Sequence, residues 1–198
     1  MGESHVNLAA LIGSRICHDL ISPIGAITNG LELLDLSGLL QGPEMNLIAD
    51  SVGNAGARIR FFRIAFGAAS EQELSRADVV SVLDDLTRGG RVQMLWQLDE
   101  DAMRSDVRIA FLALLCCENA LPMGGELTVA RQAGIWTIQG TGPKLAMDPA
   151  LWDPLAQGRS PDQITPSQVQ FALLPEAASQ SGRVVATDCS TERLCIRF

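Results

Sequence analysis

The pair of residues best suited to chemistry is His18 followed directly by Asp19, near the start of a long segment with helical periodicity. An imidazole titrates near neutral pH, and an adjacent carboxylate orients it or takes up its proton, which leaves a ring nitrogen free to act as a nucleophile. Pro23 removes an amide donor to the carbonyl of Asp19 and should bend the helix just past His18. We interpret His18 as a nucleophile, the alternative being an ordinary surface histidine.

The element that must position His18 is a first helix, predicted at about residues 6–36. Spacings of three, four and seven between apolar residues are typical of one buried helical face. These residues are Ala9, Ile16, Leu20, Ile24, Ile27, Leu31 and Leu34. At ~100° per residue, His18 lies roughly 160° around the helix from Leu20, so we expect it to be exposed. The same polar side contains Ser14, Arg15, Ser22, Gly25 and Asn29. Small residues around an exposed imidazole leave room for another macromolecule.

A second helix is predicted at about residues 44–69, after a short turn at residues 41–43. Its apolar positions are Leu47, Ile48, Val52, Ala55, Ile59, Phe62 and Phe66. Two long helices joined by a short turn form an antiparallel hairpin. Because one hairpin of this size cannot cover both apolar stripes, we expect a symmetric homodimer through a helical bundle. The alternative is a monomer in which the C-terminal half folds back over the hairpin.

Composition limits the classes of function. The 198 residues have a formal net charge of −8 and a pI of about 4.7, which argues against nucleic-acid binding because phosphate contacts need clustered Lys and Arg. The five cysteines form no C-x-x-C pair, so we expect reduced, mostly buried thiols. His5 and His18 are the only histidines, and no metal site is expected. Neither a secretory signal nor a membrane span is predicted, and we expect a cytoplasmic protein.

From about residue 70 the pattern changes to that of an α+β domain. Helices are predicted at residues 78–88, 106–121, 151–156 and 167–180, and strands at residues 91–98, 126–130, 135–139, 183–186 and 194–198. The strands on either side of residues 131–134 form a predicted hairpin. Helices on one face of a mixed sheet make an α+β unit, so we divide the chain into domains at residues 1–70 and 71–198.

The sequence His-Asp-Leu-Ile-Ser-Pro at residues 18–23 resembles the H-box of two-component histidine kinases and their phosphotransferase relatives, in which the histidine carries a phosphoryl group. The element order is similar to a kinase core, a dimerisation hairpin followed by an ATP-binding domain of the Bergerat type. Residues 8–35 look like the ChpT-type histidine phosphotransferases of alphaproteobacteria. The resemblance implies an N-terminal antiparallel helical hairpin that dimerises into a four-helix bundle, followed by a degenerate Bergerat-type α/β sandwich domain.

The residues that bind ATP in the kinase family are mostly missing. The N-box has two asparagines one turn apart, but this chain keeps only Asn119, and Leu115 stands at the other position. An asparagine oxygen can ligate Mg²⁺, whereas a leucine cannot. In the first glycine box, Gly140 replaces the aspartate that holds adenine and Lys144 replaces a glycine; the second box, at residues 165–174, has no glycine. We therefore predict no nucleotide binding and no cofactor.

The resemblance also implies a function in a phosphorelay. His18 would accept a phosphoryl group from the receiver domain of a hybrid histidine kinase and pass it to a response regulator, with Mg²⁺ present only in the partner's receiver. Asp19 would orient the imidazole, and Arg15 is either a contact for the phosphoryl oxygens or a solvated arginine. The candidate contacts for the receiver are Ser14, Ser22, Gly25 and Asn29. Two alternatives stay open: a diverged but active histidine kinase, and a non-catalytic adaptor that docks receivers.

Overall fold

The computed structural model describes residues 3–36, 42–68, 70–190 and 193–198, and in the first helix it describes the surroundings of Gly13 and the side chains of residues 16–36. The side chains of Ala9, Ser14 and Arg15 and the predicted turn residue Gln41 lie outside this description. The chain divides into two compact units, Met1–Ala68 and Ala69–Phe198.

The first unit is an antiparallel hairpin of two helices, α1 (Glu3–Leu36) and α2 (Pro43–Ala65). Pro43 begins α2, where its missing amide would have no intrahelical partner in any case. The C-terminus is closed by Phe66, whose backbone N–H donates to the carbonyl of Phe62 at 2.8 Å. Both predicted helices are therefore confirmed, although α2 ends at Ala65 rather than near residue 69.

Two close approaches set the antiparallel register of this hairpin. A Cβ built on Gly13 would lie 3.4 Å from Cβ of Phe66, and one built on Gly56 would lie 3.5 Å from Cγ2 of Ile24. Small residues at these positions let the two helix axes approach closely. Cys17, one turn after Gly13, is buried. The packed side of α1 therefore includes positions 13, 17 and 24.

The apolar stripe predicted on α1 is only partly covered in the single chain. Ile24 and Leu31 are half-buried. The other described members are exposed, namely Ile16, Leu20, Ile27 and Leu34. On α2, Leu47 and Ile48 are exposed as well. A row of large apolar side chains along the hairpin is thus left facing solvent in the single chain.

The second unit combines helices with a five-stranded mixed sheet. Its helices are α3 (Arg76–Thr87), α4 (Arg104–Asn119), α5 (Pro149–Ala156) and α6 (Val169–Gln180). Its strands are β1 (Glu73–Leu74), β2 (Val92–Trp96), β3 (Ala102–Met103), β4 (Gly125–Gln132), β5 (Ile135–Thr141), β6 (Ala186–Thr187) and β7 (Leu194–Arg197). The sheet has the order β2-β4-β5-β7-β6, with β2 parallel to β4 and the other neighbours antiparallel. β1 and β3 form a separate antiparallel ribbon.

The predicted β4–β5 hairpin is confirmed, and an aromatic cluster packs beneath it. Its turn has Ala133 at φ 50° and Gly134 at φ 81°, the two positive values that a tight two-residue hairpin turn requires. The ring of the buried Trp136 stacks on Phe198 with centroids 5.7 Å apart and lies 5.5 Å from the ring of Trp96. These contacts fix the C-terminal residue against the core of the sheet.

Two differences from the predicted strands have local causes. β1 and β3 have two residues each, which is too short for an alternating pattern to appear in the sequence. The strand predicted at residues 183–186 is wrong at its start, because β6 begins only at Ala186 and Arg183 takes part in the C-terminal cap of α6. Its backbone N–H donates to the carbonyl of Ala178 at 2.8 Å, and Gly182 has φ 67°, as in a glycine-terminated helix.

Three further observations concern membrane-spanning helices, metal-binding groups and cysteine thiols. No helix in the described ranges is long and apolar enough to cross a membrane. Within the same ranges, no group of three or more His, Cys, Asp or Glu residues is arranged to hold a metal ion. All five cysteines are free thiols, and all except Cys189 are buried, which agrees with the expectation of mostly buried, unpaired cysteines.

Candidate functional site

His18 lies on the outer surface of α1, with its side chain 81% exposed. Its Nδ1 is 3.2 Å from Oδ1 of Asp19. A carboxylate oxygen can only accept a hydrogen bond, so this contact favours the neutral tautomer that has its proton on Nδ1 and its lone pair on Nε2. The arrangement therefore offers Nε2, on the far side of the ring from Asp19, as an accessible nucleophile.

Small and polar residues continue from His18 along one side of α1. Ser22, Gly25 and Asn29 follow at spacings of four, three and four, which puts them on one helical face about 16 Å long. Ser22 and Asn29 are exposed and Gly25 is half-buried. A Cβ built on Gly25 would meet no described atom within 4 Å. Glycine inside a helix costs about 1 kcal/mol relative to alanine, so packing within the unit gives no reason for it, whereas the close approach of a partner would.

The residues just before His18 show why its surroundings were only partly predictable. Ser14 and Arg15 belong to α1, and their side chains are outside the described part. Cys17 is buried, and this burial raises the pKa of its thiol, while the positive charge of Arg63 on α2 acts to lower it. Sequence reasoning missed the link between Arg63 and this site. The sequence predicts that the two helices pair antiparallel, but only the structure gives the register that places Arg63 beside Cys17.

Positions 115, 119 and 140 are the ones that the sequence resemblance aligns with nucleotide-binding residues of histidine kinases. Gly140 is buried in β5, and a Cβ built on it would lie 2.7 Å from Cδ2 of Leu194 and 2.9 Å from Cδ2 of Leu127. Leucine methyl groups thus fill the space that an aspartate at position 140 would need. On α4, Leu115 offers no oxygen and Asn119 is exposed. One asparagine is all that these positions provide for a nucleotide and its metal ion.

The segment between the two glycine-box positions forms α5 and is held by the protein's own side chains. Leu151, Trp152 and Leu155 are buried. The ring of Trp152 meets the ring of Phe171 on α6 edge-on, with centroids 5.6 Å apart. Asp148 caps the helix by accepting the backbone N–H of Ala150 at 3.0 Å. Apolar packing and a helix cap therefore hold this segment against α6.

Comparison with known proteins assigns the family. The histidine phosphotransferase C-terminal domain matches residues 76–193. The chain is also 32% identical over 199 residues to the protein phosphotransferase ChpT of Brucella abortus (strain 2308), covering 96% of this chain and 93% of that protein. The chain belongs to the ChpT-type histidine phosphotransferase family. The resemblance found in residues 8–35 therefore extends over nearly the whole chain.

Of two solved structures that resemble the chain, the one with the higher TM-score agrees with the histidine phosphotransferase assignment. The nucleotide-free catalytic domain of the histidine kinase ThkA matches 64% of this chain and 93% of that chain, with 10% identity and a TM-score of 0.45. A bacterial phosphotransferase determined at 1.7 Å resolution is 27% identical, with a TM-score of 0.69, and the match covers 100% of this chain and 97% of that chain. The second match confirms the expected architecture, a helical hairpin followed by an α+β unit, for this phosphotransferase.

Proposed function

We propose that this histidine phosphotransferase relays a phosphoryl group through His18, from the receiver domain of a hybrid histidine kinase to a response regulator. The observation that carries the proposal is the exposed imidazole whose Nδ1 is held by Asp19, at one end of the open face formed with Ser22, Gly25 and Asn29. Ser14 extends the same face toward the N-terminus and completes the proposed receiver contacts, and Arg15 is proposed as a contact for the phosphoryl oxygens.

The bonds formed and broken in the transfer balance, and the phosphotransferase itself needs no cofactor for them. The Nε2 lone pair of His18 attacks phosphorus in line with the acyl phosphate, the N–P bond forms, and the O–P bond breaks to release the receiver's aspartate as a carboxylate. Asp19 stabilises the imidazole that gains positive character, through the Nδ1 proton. The second transfer reverses these steps on the aspartate of the response regulator. Mg²⁺ and a lysine of each receiver neutralise the phosphoryl oxygens.

The alternative of a diverged but active histidine kinase is disfavoured by the second unit. An ATP-dependent kinase needs a place for adenine and ligands for Mg²⁺, and position 140 is closed by Leu127 and Leu194. We therefore infer that the unit at residues 71–198 is a degenerate ATPase-like domain and that the hairpin at residues 1–70 performs the transfer. Titration with Mg²⁺–ATP tests this directly: we expect neither binding nor autophosphorylation at millimolar ATP.

We also propose a homodimer formed by the hairpin. The exposed apolar row includes Ile16, Leu20, Ile27 and Ile48, and His18 lies roughly 160° from Leu20 around α1, so pairing through this row would leave the imidazole accessible. Light scattering should give twice the mass of one chain. A cytoplasmic location is part of the proposal, since reduced thiols persist in reducing compartments.

The deciding experiment is phosphoryl transfer from a ³²P-labelled receiver. Wild-type chain should take up acid-labile, base-stable label and pass it to a second, unlabelled receiver. His18→Ala should abolish the label, whereas His5→Ala, which removes the only other histidine, should leave it unchanged. A wild-type chain that binds the phosphorylated receiver but takes up no label would support the non-catalytic adaptor instead.

A further inference from the structure

A phosphoryl group on His18 would need a nearby cation, and the part of α1 that follows His18 contains none. Such a group carries about −1.5 to −2 charges at neutral pH, and the adjacent Asp19 adds a further negative charge. Residues 16–36 contain no lysine or arginine. Positive charge close to the imidazole must therefore come from Arg15, from α2 or from a partner.

The register of the hairpin brings one arginine of α2 level with the site. The contacts of Gly13 with Phe66 and of Gly56 with Ile24 run antiparallel, so position 63 lies beside position 17. Arg63 is thus next to the residue that precedes His18. Its exposed side chain is long enough to reach around the hairpin toward the imidazole, since helices packed this closely have axes about 8–10 Å apart.

Helical geometry separates the three arginines of α2 by the side on which they lie. Gly56 packs against α1, and Arg63 follows it by seven residues, which is almost two full turns and returns to the same side. Arg60, four residues after Gly56, is also near that side. Arg58, two residues after Gly56, is roughly 200° around the helix, and its Nε donates to Oδ1 of Asn54 at 3.0 Å.

The electrostatics of the hairpin agree with this geometry. The charge of Arg63 lowers the pKa of the buried Cys17 thiol against the larger effect of desolvation, so the guanidinium acts on the turn of α1 that carries His18. The charges of α2 are also segregated along its length. Its acidic residues, Glu44 and Asp50, lie in its first half, whereas its arginines all lie between residues 58 and 63. The end of α2 that pairs with the turn carrying His18 is therefore its cationic end, and Asp19 on α1 places one negative charge beside the imidazole.

We propose that Arg63, assisted by Arg60, binds the phosphoryl oxygens on His18 and stabilises the group during transfer. This inference rests on the proposed phosphotransfer function and adds a specific residue of α2 to it. A guanidinium presents paired N–H donors that match two oxygens of a phosphoryl group, and charge-assisted hydrogen bonds of this kind are roughly twice as strong as neutral ones. Because charge develops on these oxygens in the transition state, Arg63 should affect the rate as well as the stability of phosphohistidine.

The first test uses the full chain alone. Phosphoramidate is a small donor that phosphorylates histidine, the N–P bond to His18 forming as its own N–P bond breaks to release ammonia. The ³¹P NMR signal of the phosphohistidine is then followed against pH. Removing a bound cation favours the protonated phosphoryl group, so Arg63→Gln should raise the phosphoryl pKa. Arg58→Gln removes the same charge from the same helix on the wrong side and should leave the phosphoryl pKa at its wild-type value.

The second test is single-turnover transfer from a phosphorylated receiver. We expect Arg63→Gln to slow labelling of His18 by about tenfold or more, Arg63→Lys to recover much of the rate, and Arg58→Gln to stay within about twofold of wild type. Circular dichroism checks that each variant is folded. If wild type is labelled but Arg63→Gln and the Arg60→Gln/Arg63→Gln double variant match Arg58→Gln in both tests, the inference is wrong while the proposed function stands. Absence of label in wild type itself overturns the proposed function.

Discussion

The ion pair between Arg183 and Asp106 should contribute strongly to the stability of the second unit. Nε and Nη2 of Arg183 donate to the two carboxylate oxygens of Asp106 at 2.8 and 2.7 Å, with side-chain exposures of 27% and 12%. Nη1 also donates to the carbonyl of Gly134 at 3.3 Å, and the guanidinium lies 5.7 Å from the ring centroid of Phe198. One side chain thus ties α4, the β4–β5 turn and the C-terminus together.

Arg183→Gln would leave the carboxylate of Asp106 nearly buried and without its cation. Breaking a buried pair in this way typically costs about 3–5 kcal/mol. The partial exposure of Arg183 lets water solvate the remaining carboxylate, so we expect a loss of about 2–3 kcal/mol in the free energy of unfolding. With a urea m-value of about 2 kcal/mol/M for a unit of this size, the midpoint should fall by roughly 1 M.

The matched control for this prediction is Arg193→Gln. Arg193 pairs with Asp188 at 3.1 Å, with side-chain exposures of 51% and 48%, and such exposed pairs contribute less than about 1 kcal/mol. Tryptophan fluorescence during urea unfolding is a suitable assay, because Trp96, Trp136 and Trp152 all lie in the second unit. Equal losses of stability in the two variants would refute the reasoning that burial makes the Asp106 pair the stronger one.

The remaining predictions concern Gly25, the thiols of Cys116 and Cys117, the proposed dimer and position 140. Gly25→Ala should raise helix stability by up to about 1 kcal/mol yet slow receiver transfer, measured by thermal unfolding and single-turnover labelling. Burial raises the pKa of the Cys116 and Cys117 thiols well above 9.0, so iodoacetamide should modify them at pH 8 only after unfolding. The free energy of unfolding should fall as the pH rises above 9.0, because the thiols lose their protons in the unfolded chain before they do so in the folded one. Ile27→Glu should give a folded monomer by light scattering. Gly140→Asp should lower the urea midpoint and still bind no ATP.

Regular elements are predictable from sequence wherever the pattern is long enough to repeat. The heptad-like apolar spacing of α1 and α2 and the alternation in β2 and β4 are local signals, so the sequence is sufficient to assign these elements to the correct type. The ribbon of β1 and β3 has no such repeat. The tie between Arg183 and Asp106 joins residues that are 77 positions apart, and no local pattern encodes such a distant pairing.

The same division between local and distant signals applies to the candidate site. The exposure of His18 and the proximity of Asp19 follow from helical spacing and from adjacency in sequence, and both are predictable. Whether Arg63 lies beside His18 depends on the register between the two helices, and a shift of one turn would move it away. The packing of Gly13 and Gly56 determines this register. Small residues at a helix contact have no unique sequence pattern, so it is the three-dimensional register of the hairpin that assigns the arginine to the site.

The closed pocket and the open imidazole together constrain the source of the phosphoryl group. Leu127 and Leu194 occupy the space next to position 140, so restoring a single aspartate would create a clash and a buried charge rather than an adenine site. On the proposed function, the phosphoryl group then comes from another molecule. We propose an acyl phosphate on a receiver's aspartate as this activated donor, and the face that begins at His18, about 16 Å long, as the surface on which the receiver docks.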